Sequence, residues 1–185
     1  DLHSFPTRRS SDLHIDSLRL NPDGERALRL ALGAIDKTEP IDHKARGETY
    51  VELADWYLSG GATAKALENY REAWKSLSAA GSTAMLEAPR LLAYRPPAAS
   101  TTRSRLDPAS ADATSLTVRF TVTPEGKTAD VVKVAGDAPE HLERAMMNAV
   151  KKARYAPRLA NGEPVATPDI TLEEKLLSRR DQPRR

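Results

Sequence analysis

The feature that most constrains this chain is a change of hydrophobic period inside one stretch, residues 116–176. It opens with alternation: Leu116, Val118, Phe120 and Val122 are apolar, while Thr117, Arg119, Thr121 and Thr123 are polar. A period of two places one face on a core and the other in water, the pattern of a half-buried strand. Pro124-Glu125-Gly126-Lys127 then reads as a turn, with Gly126 able to take the positive φ of a tight reversal. A second strand is expected over Thr128–Val134. Its register stays open, because the adjacent Val131 and Val132 cannot share a face unless a bulge intervenes.

After the second strand the period becomes helical. Asp137 can cap a helix, Pro139 suits its first turn, and Glu140 stands three residues after Asp137 in a capping-box relation. Leu142, Ala145, Met146, Ala149, Val150 and Ala153 follow at steps that build one continuous stripe, predicting a helix over Pro139–Arg154. It must stop before Pro157, since the residue preceding a proline is pushed out of the α region. Asn161-Gly162 marks a turn, and Val165, Ile170, Leu172 and Leu176 are core candidates in a final extended run. The order is strand, turn, strand, helix, loop, strand. That is an α+β unit, a helix packed on one side of an antiparallel sheet.

Several local strings in this stretch resemble the C-terminal domain of TonB family proteins, the periplasmic energy transducers of Gram-negative bacteria. They are Phe120-Thr121-Val122, the Pro124–Lys127 turn, the Ala145…Ala149-Val150 helix face, Arg154-Tyr155-Ala156-Pro157 and Gly162-Glu163-Pro164-Val165. The most specific are the last two, which contribute Tyr155, Pro157, Gly162, Pro164 and Val165 as structural motif residues. The resemblance covers residues 116–177 and leaves the rest of the 185-residue chain to be read on its own terms.

Upstream, the pattern is helical. Asn21-Pro22-Asp23-Gly24 is a turn, and Glu25–Asp36 reads as a helix with Ala27, Leu28, Ala31, Leu32 and Ile35 on one face. Tyr50, Leu53, Ala54 and Tyr57 line a second helix, Gly60-Gly61 breaks it, and Ala66, Tyr70 and Ala73 line a third. Those spacings follow the tetratricopeptide pattern, although Ser78 stands where its proline is usual. The fold class is therefore a tetratricopeptide-like helical hairpin over residues 24–80, followed by a small β-β-α-β domain over 116–177. A single repeat cannot bury its own face. Either further repeats precede it or the hairpin packs on the C-terminal domain, and the reading favours further repeats.

The remaining segments are polar or small. Residues 1–13 resemble the translation of a sequencing adapter, so they are expected to be disordered and to play no part in the fold. Met85, Leu86, Leu91, Leu92 and Tyr94 are apolar enough to dock. Residues 95–115, rich in Pro, Ala, Ser and Thr, read as a flexible linker, and 178–185 as a disordered basic tail.

Chemistry is hard to place on this sequence. There is no cysteine, which removes disulfides, thiolate nucleophiles and Cys-type zinc sites. His14, His43 and His141 have no second ligand at metal spacing, and no phosphate-cradling or nucleophile-elbow motif occurs. Trp56 and Trp74 fall on repeat helices, where packing accounts for them. Glu173-Glu174 lies in a strand with side chains to opposite faces, a poor geometry for a shared acid–base site. No catalytic, cofactor or metal residues are assigned, and an enzyme is not expected. From Leu116 to Leu177 nine basic residues (four Arg, five Lys) face nine acidic ones, so no nucleic-acid footprint stands out.

What remains is binding. The resemblance implies a periplasmic protein that contacts outer-membrane TonB-dependent receptors in transmembrane transport. It also implies coupling to an inner-membrane proton-motive complex through an anchor upstream of His14. The physical mode expected is strand addition, a receptor peptide pairing with a free sheet edge through main-chain hydrogen bonds. The candidate edge is the C-terminal strand: Ile170, Thr171, Leu172, Glu173, Glu174 and Lys175. The alternative is a tetratricopeptide scaffold in which the helices bind the partner and the TonB-like unit is an accessory without energy coupling.

Overall fold

A computed structural model describes residues 22–101, 105 and 111–179. The expectations for residues 1–13 and 180–185 lie outside the described residues. Three helices come first: α1 (Pro22–Ile35), α2 (His43–Ser59) and α3 (Thr63–Ala79). The Asp42 side chain starts α2 by accepting the Ala45 N–H at 2.9 Å, a side-chain N-cap. Gly61, at φ +81°, turns the chain into α3. Ala54, Ala66, Tyr70 and Ala73 are fully buried where α2 and α3 meet, as the repeat spacing predicts. A contact outside that pattern closes the pair: a Cβ on Gly47 would lie only 2.5 Å from Leu77 Cγ. Beneath it, Tyr70 Oη donates to Asp55 Oδ1 at 2.5 Å, and Arg90 reaches both Asp55 oxygens at 3.0 and 2.8 Å.

A 3-10 turn (Ala84–Leu86) leads to β1 (Arg90–Ala93), and then come β2 (Ala111–Val122), β3 (Thr128–Ala135) and α4 (Glu140–Lys151). Three short strands follow, β4 (Arg154–Ala156), β5 (Arg158–Ala160) and β6 (Glu163–Val165), before the long β7 (Thr167–Arg179). The main sheet is antiparallel in the order β3-β2-β7, with β1-β4 and β5-β6 as separate pairs. The protein is α+β, a helical segment joined to a sheet with α4 against it. The buried face of β2 is the alternation read from sequence. Leu116, Val118, Phe120 and Val122 share a core with Val131, Leu142, Met146, Val150, Ala153, Tyr155 and Leu176. The valine ambiguity resolves through irregular pairing. Register shifts interrupt β2–β3, Asp130 sits at φ +52°, and Val131 is buried while Val132 is exposed.

Four local expectations need correction. Asp137 does not cap α4; the N-cap position is Pro139, which makes no side-chain cap bond. With Gly136 at φ +100° the chain is still turning out of β3 there, and the Asp137 carbonyl instead accepts Thr114 Oγ1 at 3.0 Å. The final extended run is two strands, β6 and β7, not one, and β6 folds back on β5. Asn161 and Gly162, both at positive φ (52° and 84°), close a two-residue β5–β6 hairpin of the I′ kind before β7 begins. Residues 95–115 are not linker throughout: Ala99–Thr101 pairs with β7, and Ala111–Ser115 belongs to β2. The register of β2 with β7 continues through Ala111↔Arg179, which carries the sheet two residues past the expected end at 177.

The fourth correction is at the start of α1, where Pro22, Asp23 and Gly24 are helical rather than part of a turn. The helical hairpin packs part of its apolar face on the C-terminal unit of the same chain. Ala156 and Leu159 are buried in one cluster with Val51, Leu53, Leu58, Tyr70 and Leu77. Arg71 holds Glu163 through both carboxylate oxygens (3.1 Å to Oε1 and 2.9 Å to Oε2), and Gly162 lies against the Trp74 ring. Small residues at 156 and 162 let the helices come close, which is the physical reason the hairpin can bury its face here.

Candidate functional site

The six residues singled out in the final strand all fall in β7, which ends the strand order β3-β2-β7. Which of their backbone groups face outward follows from two hydrogen bonds. Thr101 N–H donates to Lys175 O at 2.8 Å, and Leu177 N–H donates to Ala99 O at 2.6 Å. Residues 175 and 177 therefore turn their main-chain groups away from β2. Successive residues in a strand alternate in this respect, and the register is unbroken from Ala111↔Arg179 to Phe120↔Ile170. The N–H and C=O of Thr171 and Glu173 consequently point to the outer edge, and those of Ile170, Leu172 and Glu174 point to β2. Among the described residues, the backbone bonds to this outer edge are those at 175 and 177.

Side chains add a second layer. Thr171, Glu173 and Lys175 are exposed, whereas Ile170 and Leu172 are half-buried and pack on the core with Met147 and Tyr94. A strand laid along this edge would thus meet an apolar rim on its helix side and a polar rim on the other. The Glu174 carboxylate accepts Ser100 Oγ at 2.6 Å and Tyr94 Oη at 3.1 Å. Burial first, then the Glu174 charge, push the Tyr94 hydroxyl well above the usual phenol range, so it stays a donor. Sequence reading missed Ser100 and Thr101, whose small polar side chains within a Pro/Ala/Ser/Thr run carry no distinguishing signal.

The opposite edge, β3, is built differently. Two register shifts and the left-handed Asp130 break its regularity. Lys133 on it pairs with Glu143 of α4. Irregular, charged edges resist pairing with another strand.

The motif residues sit away from either edge. Tyr155 and Pro157 are buried, and Pro164 and Val165 are half-buried in β6. Burial alone pushes the Tyr155 hydroxyl up to about 12. Gly126, at φ +74°, accepts the Tyr155 N–H at 2.9 Å, so the turn and the aromatic of the motif are one joint. A surface depression lined by Glu25, Arg26, Arg29 and Leu30 lies on α1. Among the described residues no group of three His, Cys, Asp or Glu could hold a metal ion, and no helix is long and apolar enough to cross a membrane.

Residues 111–171 match the family described as Gram-negative bacterial TonB protein C-terminal. No curated protein matches the chain. Among solved structures, the chain is similar to the solution structure of the Pseudomonas aeruginosa TonB C-terminal domain. The identity is 21%, the match covers 52% of this chain and 90% of that one, and the TM-score is 0.33.

Proposed function

From the premise of a TonB-type C-terminal domain at residues 111–171, we propose that this protein is a periplasmic binding protein of the TonB kind. It takes up an extended segment of an outer-membrane receptor along the outer edge of β7, in transmembrane transport. The observation that carries this reading is the edge itself: a regular strand whose Thr171 and Glu173 main-chain groups face outward, while the other edge is broken by bulges. A row of such groups is a template for another chain, and main-chain pairing supplies the affinity. Coupling to an inner-membrane proton-motive complex would be the upstream half of the same role. The scaffold reading is the weaker one, since the apolar face of the helical hairpin is turned to Ala156 and Leu159 rather than to a partner.

The test is titration of extended peptides from outer-membrane receptors against the full chain and its variants. Thr171→Pro and Glu173→Pro each remove one outward donor without touching the β2 ladder. Each should keep the fold and weaken binding about fivefold or more, the size of one net hydrogen bond. Leu172→Pro removes a donor aimed at β2 and should unfold the sheet. Thr171→Ala should bind as wild type, because the side chain makes none of the main-chain pairing. Proline variants that stay folded and bind as tightly as wild type, beside an alanine variant that does not bind, would refute strand addition.

A further inference from the structure

We propose that Ala99–Thr101 is a built-in latch: an internal strand that occupies the C-terminal half of the β7 edge and that a longer partner strand must displace. The inference rests on the edge reading above and deepens it, by naming what regulates access to the same surface. Ser100 opposes Leu176 in an antiparallel bridge, flanked by the Thr101–Lys175 and Leu177–Ala99 backbone bonds. The segment is seated, not merely adjacent. Ser100 is fully buried, Pro97 is buried, and Ala99 packs against the sheet core. A turn in which Ser100 N–H donates to Pro97 O at 2.9 Å sets its direction.

The catch is Glu174. Its carboxylate takes Ser100 Oγ from the latch and Tyr94 Oη from the segment after β1. When the latch leaves, the Tyr94 bond still holds the carboxylate in place. Among the described residues the backbone of the latch meets β7 through two bonds, while β7 pairs with β2 along its whole length. It can therefore open without loss of the sheet. Closed, it leaves Ile170–Glu174 as the part of the edge without a backbone rival among the described residues; open, the edge extends to Leu177. A peptide spanning 170–177 pays the opening penalty, whereas one confined to the open part does not.

Two variants of the full chain test this. Ser100→Ala removes the catch without disturbing the core. Amide hydrogen exchange at Leu177 and Thr101 should accelerate about fivefold, the weight of one hydrogen bond, while exchange at Leu176, whose N–H faces β2, should not change. The second variant is Ser100→Cys with Leu176→Cys. The chain has no other cysteine, so a disulfide can form only there. The two positions form a pair flanked by hydrogen bonds, the closer kind, with Cα atoms about 4.5 Å apart. The probe is a fluorescein-labelled peptide of the chain's own residues 96–105, offered in trans. The reduced form should bind it at least about tenfold more tightly than the oxidised form. Ser100→Ala should bind about fivefold more tightly than wild type. Comparing redox states of one protein cancels any cost of replacing Leu176. Equal binding by oxidised and reduced forms overturns the latch and leaves the edge reading standing. Unchanged exchange at Leu177 in Ser100→Ala overturns the catch. If no form binds the peptide although Leu177 exchange has accelerated, the edge is not a strand-binding surface and both readings fall.

Discussion

Met146→Ala asks whether the helical hairpin and the sheet are one cooperative body. Met146 is fully buried on α4 among Leu142, Val150 and the β2 side chains, with its sulfur 3.3 Å from Tyr94 Oη. Truncating a buried Met to Ala costs about 2–5 kcal/mol, the transfer term plus the cavity left behind. Both tryptophans of the chain, Trp56 and Trp74, lie on α2 and α3, outside that core. Trp56 therefore reports the helices, and Trp74, which lies against Gly162, reports the helices and their seam with the C-terminal unit. The link between the two bodies is Leu159 and Ala156 in the helical cluster, the β1–β4 pairing, and Gly162 under Trp74. Burying Leu159 alone is worth about 2 kcal/mol, and a small body cut from its partner has only about 5 kcal/mol in all. Separation should leave neither half stable. In urea, with a slope of about 2 kcal/mol per molar, a loss of about 3 kcal/mol should lower the tryptophan midpoint by about 1.5 M, in step with far-ultraviolet circular dichroism. A tryptophan midpoint that stays at the wild-type value while dichroism shows an earlier transition would mean two independently folding units, and the coupling argument would be wrong.

Gly162→Ala should lower the melting temperature and alter tryptophan emission. Residue 162 stands at φ +84°, where an L side chain is strained by about 1 kcal/mol or more, and a Cβ there would lie 2.9 Å from Trp74 Cδ1. Glu163→Gln should flatten the acid side of the stability curve. The Arg71 hydrogen bonds hold the Glu163 carboxyl below its usual 4.5, so the stability it contributes is present above that value and lost as pH falls through the depressed one. Melting temperatures of wild type and variant should therefore converge as pH falls through the depressed value; curves that stay parallel from neutral pH to acid would show that the ionised pair contributes nothing, as many exposed ion pairs do.

Period carried most of what was legible in the sequence. The alternation from Leu116 to Val122 and the stripe from Leu142 to Val150 each belong to an element with one buried face; Leu142, Met146 and Val150 are buried, Ala145 and Ala149 half-buried, and Ala153 is buried just past the end of α4. The tetratricopeptide spacing placed Ala54, Ala66, Tyr70 and Ala73 at the helix contact for the same reason. Short elements escaped it. β4, β5 and β6 have three residues each, too few to show a period, and their partners are set by tertiary contact. Gly47 escaped too, because a glycine inside a helix reads as a defect until the neighbour that needs its missing Cβ is known. The packing of the hairpin on the C-terminal unit rests on Ala156 and Leu159, two residues about a hundred positions from the helices they touch.

The edge shows most sharply where sequence reading stops. The residues of β7 could be named from their extended pattern, but which of their donors face outward could not. Side-chain alternation says which face a residue presents and nothing about which neighbouring strand its N–H meets. That assignment needs a fixed point, and Ala99–Thr101 supplies it from inside a run whose composition predicts no order. Once residues 175 and 177 are known to bond outward, the unbroken register carries the same parity back to Thr171 and Glu173. The segment that reveals the parity of the edge is also the one that covers part of it. A partner strand must therefore compete for the outward groups of 175 and 177, but among the described residues it meets no backbone rival at 171 and 173. Initial contact is consequently expected at Thr171–Glu173, with the latch yielding afterwards from its Thr101 end.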